Sequence, residues 1–331
     1  MQQLLEQITQ NYKIEPIQSI EPVQVGIMAV NHILHTANHK YFLKSYRHAT
    51  PEAISKVHQV MNYFSENGVA AVLPIKLKTG QTYFVHENVV NAVFPFVTGQ
   101  VIKRETLNLD QAKVLGESLA NIHLTTKDGI PTKFKDLVKI KKSQETRAQN
   151  NQNIQKIIVD IPNRTEFDNH MLELVKLKAK LLEQHWDTYS KMELPNNALI
   201  HGDFHCENVM FDENKITHIL DFDNTRIDSR EWELARSMFL TFFESSFADH
   251  HIESAKYYIK AYASLYPFNF EDFSNAIKFY FFGLFRTVWA EEDYYKNNNY
   301  KVKPILSTWY LKLEYLNTNL ESFISNLINF A

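Results

Sequence analysis

Oxygen and imidazole donors crowd one short stretch of the chain. His201, Asp203, His205 and Asn208 share a polar loop, and Asp221 and Asp223 follow after two apolar segments. The turn Asp212-Glu-Asn-Lys215 makes those segments a hairpin, so its ends, Asn208 and Asp221, are expected side by side. A carboxamide and a carboxylate supply hard oxygen ligands, suited to Mg²⁺ shared with phosphate oxygens. Asp203, five residues before Asn208, is then left to address a hydroxyl group. Phosphoryl transfer needs this division of labour, because its catalysis is positioning plus neutralisation of phosphate charge.

Other chemistries read the same residues differently. His201-x-Asp203-x-His205 has the donor types of a zinc site, with Cys206 as the one further ligand nearby. Asp221-Phe-Asp223-Asn-Thr225 fits the D-x-D-x-T string of haloacid dehalogenase-type phosphatases, in which the first Asp is the nucleophile. That string should open a domain of alternating strands and helices, whereas the residues after 225 have helical periodicity. A catalytically weak fold that binds nucleotide or a partner is a third alternative.

The elements that must position these residues are legible in outline. Residues 2–12 have a helical pattern. Ile33-Leu-His-Thr, a turn at 37–40 and Tyr41-Phe-Leu-Lys-Ser-Tyr46 predict a hairpin. Thr50-Pro51-Glu52 is a helix start, with Thr50 as cap and a helix running to about Glu66, just before Gly68. Strands are expected at Ala71–Ile75, Thr82–His86 and across Asn91–Gly99, the last broken by Pro95 and Gly99. Leu109 to Thr125 is an amphipathic helix, with Ala112, Leu115, Leu119, Ile122 and His123 on one face. Residues 131–195 read as polar and mostly helical, Ile216–Phe222 as a short strand, and the rest as aromatic-rich helix. In that tail Trp289, Glu291, Glu292 and Asp293 are candidates to line an acceptor cleft. A strand-rich first third thus precedes a helical remainder, an α+β arrangement.

These pieces, in this order, resemble the aminoglycoside phosphotransferase and choline kinase superfamily, which includes homoserine kinase and stress response kinase A. The resemblance rests on His201-x-Asp203-x-x-x-x-Asn208 followed by Leu220-Asp221-Phe222. It extends to Tyr41-Phe-Leu-Lys44-Ser-Tyr-Arg47, Val93-Phe-Pro-Phe-Val-Thr-Gly99, Leu115-Gly-Glu-Ser-Leu-Ala-Asn-Ile-His123 and Trp232-Glu-Leu-Ala235, and so covers roughly residues 20–240. It implies a bilobal protein-kinase-like fold: an N-terminal nucleotide-binding lobe at 1–95, a C-terminal catalytic and acceptor-binding lobe at 96–331, and a hinge at about 94–99. It also implies transfer of the ATP γ-phosphate to an acceptor hydroxyl, with Asp203 orienting or deprotonating that hydroxyl. Asn208, Asp221 and Asp223 would hold Mg²⁺, and Lys44 would contact the phosphates. Gly26 and Asn31 would belong to the nucleotide loop, with adenine at Phe94 and Phe96. The acceptor would be a small amino alcohol, amino acid, sugar or aminoglycoside, or else a protein Ser/Thr side chain as in stress response kinase A.

Three departures stand out. The nucleotide loop, Val25-Gly26-Ile-Met-Ala-Val-Asn31, has one glycine. The carboxylate that pairs with the strand lysine should fall near residues 57–59, where Val57, His58 and Gln59 stand. The acidic residue before Leu-Ala is Glu233 where Asp is usual.

Composition narrows the rest. The 331 residues suit two packed lobes. With 8 glycines the chain has no Walker loop and no dinucleotide fingerprint. A net charge of −3 gives no basic excess for a nucleic-acid partner. A lone cysteine fits a reducing compartment, and the first residues lack a basic-then-apolar signal. The longest apolar run, Phe279–Phe285, is too short for a membrane. A cytoplasmic location is therefore expected.

Overall fold

The structure, a computed structural model, describes residues 2–23, 29–47, 49–137 and 144–328. They pack as two compact units that do not follow a single cut in the sequence. The first comprises residues 1–106, 131–136 and 201–225, and the second the remainder.

The first unit is built on an antiparallel sheet. Its strands are β1 (Ser19–Val23), β2 (Ala29–His35), β3 (Lys40–Tyr46), β4 (Phe84–His86) and β5 (Val89–Pro95), in the order β1-β2-β3-β5-β4. β2 and β3 form the expected hairpin, with His35 opposite Lys40. Side chains alternate across a strand, and β3 shows it. Leu43 turns into a core with Leu34, Val93 and Phe84, closed by Leu4 and Ile8 of helix α1 (Gln2–Asn11) and by Tyr12 just after it. Phe42, Lys44 and Tyr46 take the other face and line a cavity. Helix α2 (Pro51–Glu66) starts where expected, with Thr50 Oγ1 accepting from the Ala53 amide at 3.2 Å. The strand expected at Ala71–Ile75 does not form. Pro74 has no amide to donate, and the segment makes one parallel bridge, Ala71 to Ile219.

In the same unit β7 (Val209–Asp212) and β8 (Lys215–Ile219) make the second hairpin. The residues after β5 dock on it, through hydrogen bonds of 2.9 and 2.8 Å between Gln100 and Phe211. Gly99 permits that approach, since a Cβ there would sit 2.9 Å from Met210 Cβ.

The second unit is helical: α3 (Leu109–Leu124), α4 (Gln144–Val159), α5 (Glu166–Tyr189), α6 (Arg230–Phe242), α7 (Asp249–Leu265), α8 (Phe270–Phe285), α9 (Trp289–Tyr295) and α10 (Lys303–Ile328). A two-stranded pairing of β6 (Ala198–Ile200) with β9 (Arg226–Asp228) is its sheet. α3 and α7 touch backbone to backbone at Gly116, where a Cβ would lie 2.2 Å from the Tyr258 carbonyl oxygen. His123, at the end of α3, is fully buried between Glu233 (2.8 Å) and the Tyr262 hydroxyl (2.7 Å). The terminal His and the acidic residue before Leu-Ala are thus two halves of one buried contact. Glu291, a candidate for an acceptor cleft, is buried and paired with Lys178.

Candidate active site

The residues expected to do chemistry converge within the first unit. His201 organises the loop. Its Nδ1 accepts from the Asp203 amide at 3.2 Å, and its Nε2 donates to the Leu220 carbonyl at 2.8 Å. With both nitrogens engaged inside the loop, His201 serves as a brace rather than a zinc ligand. Among the described residues no three His, Cys, Asp or Glu side chains gather as a metal site. The Leu220 amide returns a 2.8 Å bond to the Asn208 carbonyl, which sets Asn208 beside Asp221. Asp221 itself has φ 58° and ψ 62°. This left-handed conformation costs a non-glycine residue about 1–2 kcal/mol and aims the carboxylate into the cavity.

Asn208 Nδ2 donates to the Asp203 carbonyl at 2.8 Å, which leaves the amide oxygen for a cation. Asp203 is half-buried on the same loop and is not among the cavity's lining residues. Asn208, Asp221 and Asp223 do line it, as do Lys44, Asn31, Phe94 and Phe96. Gly26 lies outside the described residues. The cavity holds about 400 Å³ and is walled largely by apolar side chains, including Ile33, Val72, Met210 and Leu220. Met210 follows Asn208 at period two on β7, a signal the sequence carried unread.

Lys44 does not meet a carboxylate from α2. Its ammonium bridges Asp221 and Asp223, 2.8 Å from an oxygen of each. Burial disfavours the charged ammonium, but the two carboxylates outweigh it, so the Lys44 pKa is raised. Burial also lifts the carboxylates. At Asp221 the attraction of Lys44 prevails and the pKa falls, whereas at Asp223 burial and the neighbouring Asp221 charge prevail and the pKa rises. One monovalent cation thus serves two carboxylates, a donor set short of positive charge. Two carboxylates and a carboxamide oxygen fit Mg²⁺.

A family profile described as the phosphotransferase enzyme family matches residues 19–268. The chain belongs to that family. It is similar to the homoserine kinase of Methylocella silvestris, 22% identical over 260 residues, 78% of this chain and 75% of that one. The homoserine kinase of Rhizobium meliloti is 20% identical over 64% of this chain and 60% of its own length. Two solved structures share the fold. A spectinomycin phosphotransferase, in complex with ADP and spectinomycin, has a TM-score of 0.71 at 18% identity and covers 99% of this chain and 98% of its own. Choline kinase from Cryptosporidium parvum has a TM-score of 0.56 at 15% identity and covers 99% of both. The kinase-like α+β fold and the expected enzyme class, a kinase acting on a hydroxyl group, therefore stand. Beyond β9 the described residues form helices with no further strand, so the D-x-D-x-T string is not the opening of a phosphatase domain. Among the described residues no helix is long and apolar enough to cross a membrane.

Proposed function

We propose that this protein is an ATP- and Mg²⁺-dependent kinase that moves the γ-phosphate to a hydroxyl of a small molecule. The observation that carries the reading is Lys44 held between Asp221 and Asp223 at the wall of a cavity of nucleotide size. Asn208, Asp221 and Asp223 would hold Mg²⁺, which when bound neutralises phosphate charge. Lys44 would reach the phosphates, and backbone groups at Phe94–Phe96 would meet adenine beside the apolar wall. Asp203 would orient the acceptor hydroxyl and take its proton. The homoserine kinase relatives favour an amino alcohol or hydroxy amino acid as acceptor, and Asn31 would belong to the nucleotide's surroundings. Residues 1–95 and 96–331 would then act as nucleotide and acceptor lobes of a cytoplasmic enzyme.

Thermal shift with ATP, with and without Mg²⁺, followed by ADP release with homoserine, aminopropanol and choline, tests this. A ligand that binds the native state raises Tm by mass action. A Mg²⁺-dependent rise with ATP and acceptor-dependent ADP release are expected. The absence of both would overturn the assignment.

A further inference from the structure

His58 stands on α2 in the stretch where a lysine-binding carboxylate was expected. It is 4% exposed. Its Nδ1 lies 2.8 Å from Thr82 Oγ1. Its ring meets Phe94, a wall of the cavity, edge-on at 5.9 Å. Its other nitrogen, Nε2, is buried with no hydrogen-bond partner among the described residues. Leaving a buried polar atom unpaired costs about 1–3 kcal/mol, so such an atom calls for an explanation. In the tautomer whose Nδ1–H donates to Thr82, Nε2 carries a lone pair and accepts.

A candidate donor, Lys44, lines the same cavity as Phe94. Burial first, and then the charge of Lys44, hold the His58 pKa down to about 4, so the ring is neutral and within the ammonium's field. An ammonium has three N–H donors. Lys44 directs two toward Asp221 and Asp223, which leaves one of the three. With Asp221 and Asp223 holding a divalent cation, as proposed above, Lys44 would lose both of its present acceptors.

We propose that His58 is the positioning residue for Lys44: with Mg²⁺ and nucleotide in the cavity, Lys44 Nζ donates to His58 Nε2, which replaces the missing carboxylate. The inference rests on the nucleotide reading above. It adds a consequence: the pair carries a net positive charge where Lys–Glu is neutral, and directs that charge at the phosphates. The Thr82 hydroxyl and the edge-on contact with Phe94 hold the ring in place.

The test compares the wild type with His58→Phe, His58→Gln and Lys44→Met, using calorimetric titration with Mg·AMP-PNP and with adenosine, which has no phosphates. His58→Phe should weaken Mg·AMP-PNP by roughly tenfold, the scale of one hydrogen bond to a charged group, and leave adenosine unchanged. His58→Gln keeps an acceptor and should recover most of the loss. In a Lys44→Met background His58→Phe should add nothing. Equal loss for adenosine and Mg·AMP-PNP would reduce His58 to packing and overturn the inference, as would unchanged Mg·AMP-PNP affinity or additive losses in the double variant. If wild-type protein binds neither probe, the nucleotide reading fails first and takes this one with it.

Discussion

Acid should destabilise this protein through His58 in a way that one substitution removes. The ring is 4% exposed, and its pKa is lowered from 6.5 to about 4, chiefly by burial and secondly by Lys44. A histidine depressed in the folded state contributes its full stability above the unfolded value, where both states are neutral. As pH falls below 6.5 the unfolded chain takes the proton first, and the contribution is lost until the folded ring titrates near 4. The whole shift corresponds to about 3 kcal/mol, of which about 2 kcal/mol is lost by roughly pH 5. Carboxylates titrate in the same range, so the informative quantity is a difference. Urea unfolding from about pH 8 to about pH 5 should cost wild-type protein about 2 kcal/mol more than His58→Phe, which keeps a ring against Phe94 and has nothing to protonate. Parallel stability curves would mean that His58 titrates normally in the folded protein, and the neutral-acceptor argument would lose its support.

Three further substitutions probe separate parts of the structure. Asp203→Ala should cut acceptor-dependent turnover by about 10²–10⁴ while Mg·ATP affinity stays within about twofold; lost nucleotide binding in a titration would reassign Asp203. Asp221→Asn should abolish most of the Mg²⁺-dependent part of the ATP thermal shift, and an unchanged shift would remove Asp221 from the metal set. Gly116→Ala forces a Cβ to 2.2 Å from the Tyr258 carbonyl; α3 and α7 must separate, at about 1–3 kcal/mol or more, and a urea midpoint equal to wild type would disprove that contact.

What could be read from the chain alone was local. The β2–β3 hairpin, the capped start of α2, α3 and the second hairpin with Asn208 beside Asp221 each depend on residues a few positions apart, where periodicity and turn chemistry act. β1 went unread because Ser19-Ile-Glu-Pro-Val has little alternation and carries Pro22, tolerable on the edge strand it proves to be. β6 and β9 are three residues each and are strands by virtue of pairing with one another across the chain. His123 and Glu233 were each noticed, but that they touch depends on α3 and α6 sharing one core.

The partner of Lys44 shows why spacing misleads at a site. The stretch of α2 where a carboxylate was expected holds Val57, His58 and Gln59, which reads as a missing charge. The carboxylates that hold Lys44 come instead from Asp221, 177 positions away, and Asp223. On the proposed reading those same oxygens would hold Mg²⁺, so lysine and metal would compete for one pair of carboxylates. Metal binding there would release the lysine, and a neutral buried acceptor on α2 would receive its ammonium. A glutamate at 58 would hold Lys44 away from Asp221 and Asp223 before any metal arrived and leave two carboxylates to repel each other. A histidine would leave Lys44 on the carboxylates, where it now sits, until a divalent cation took them.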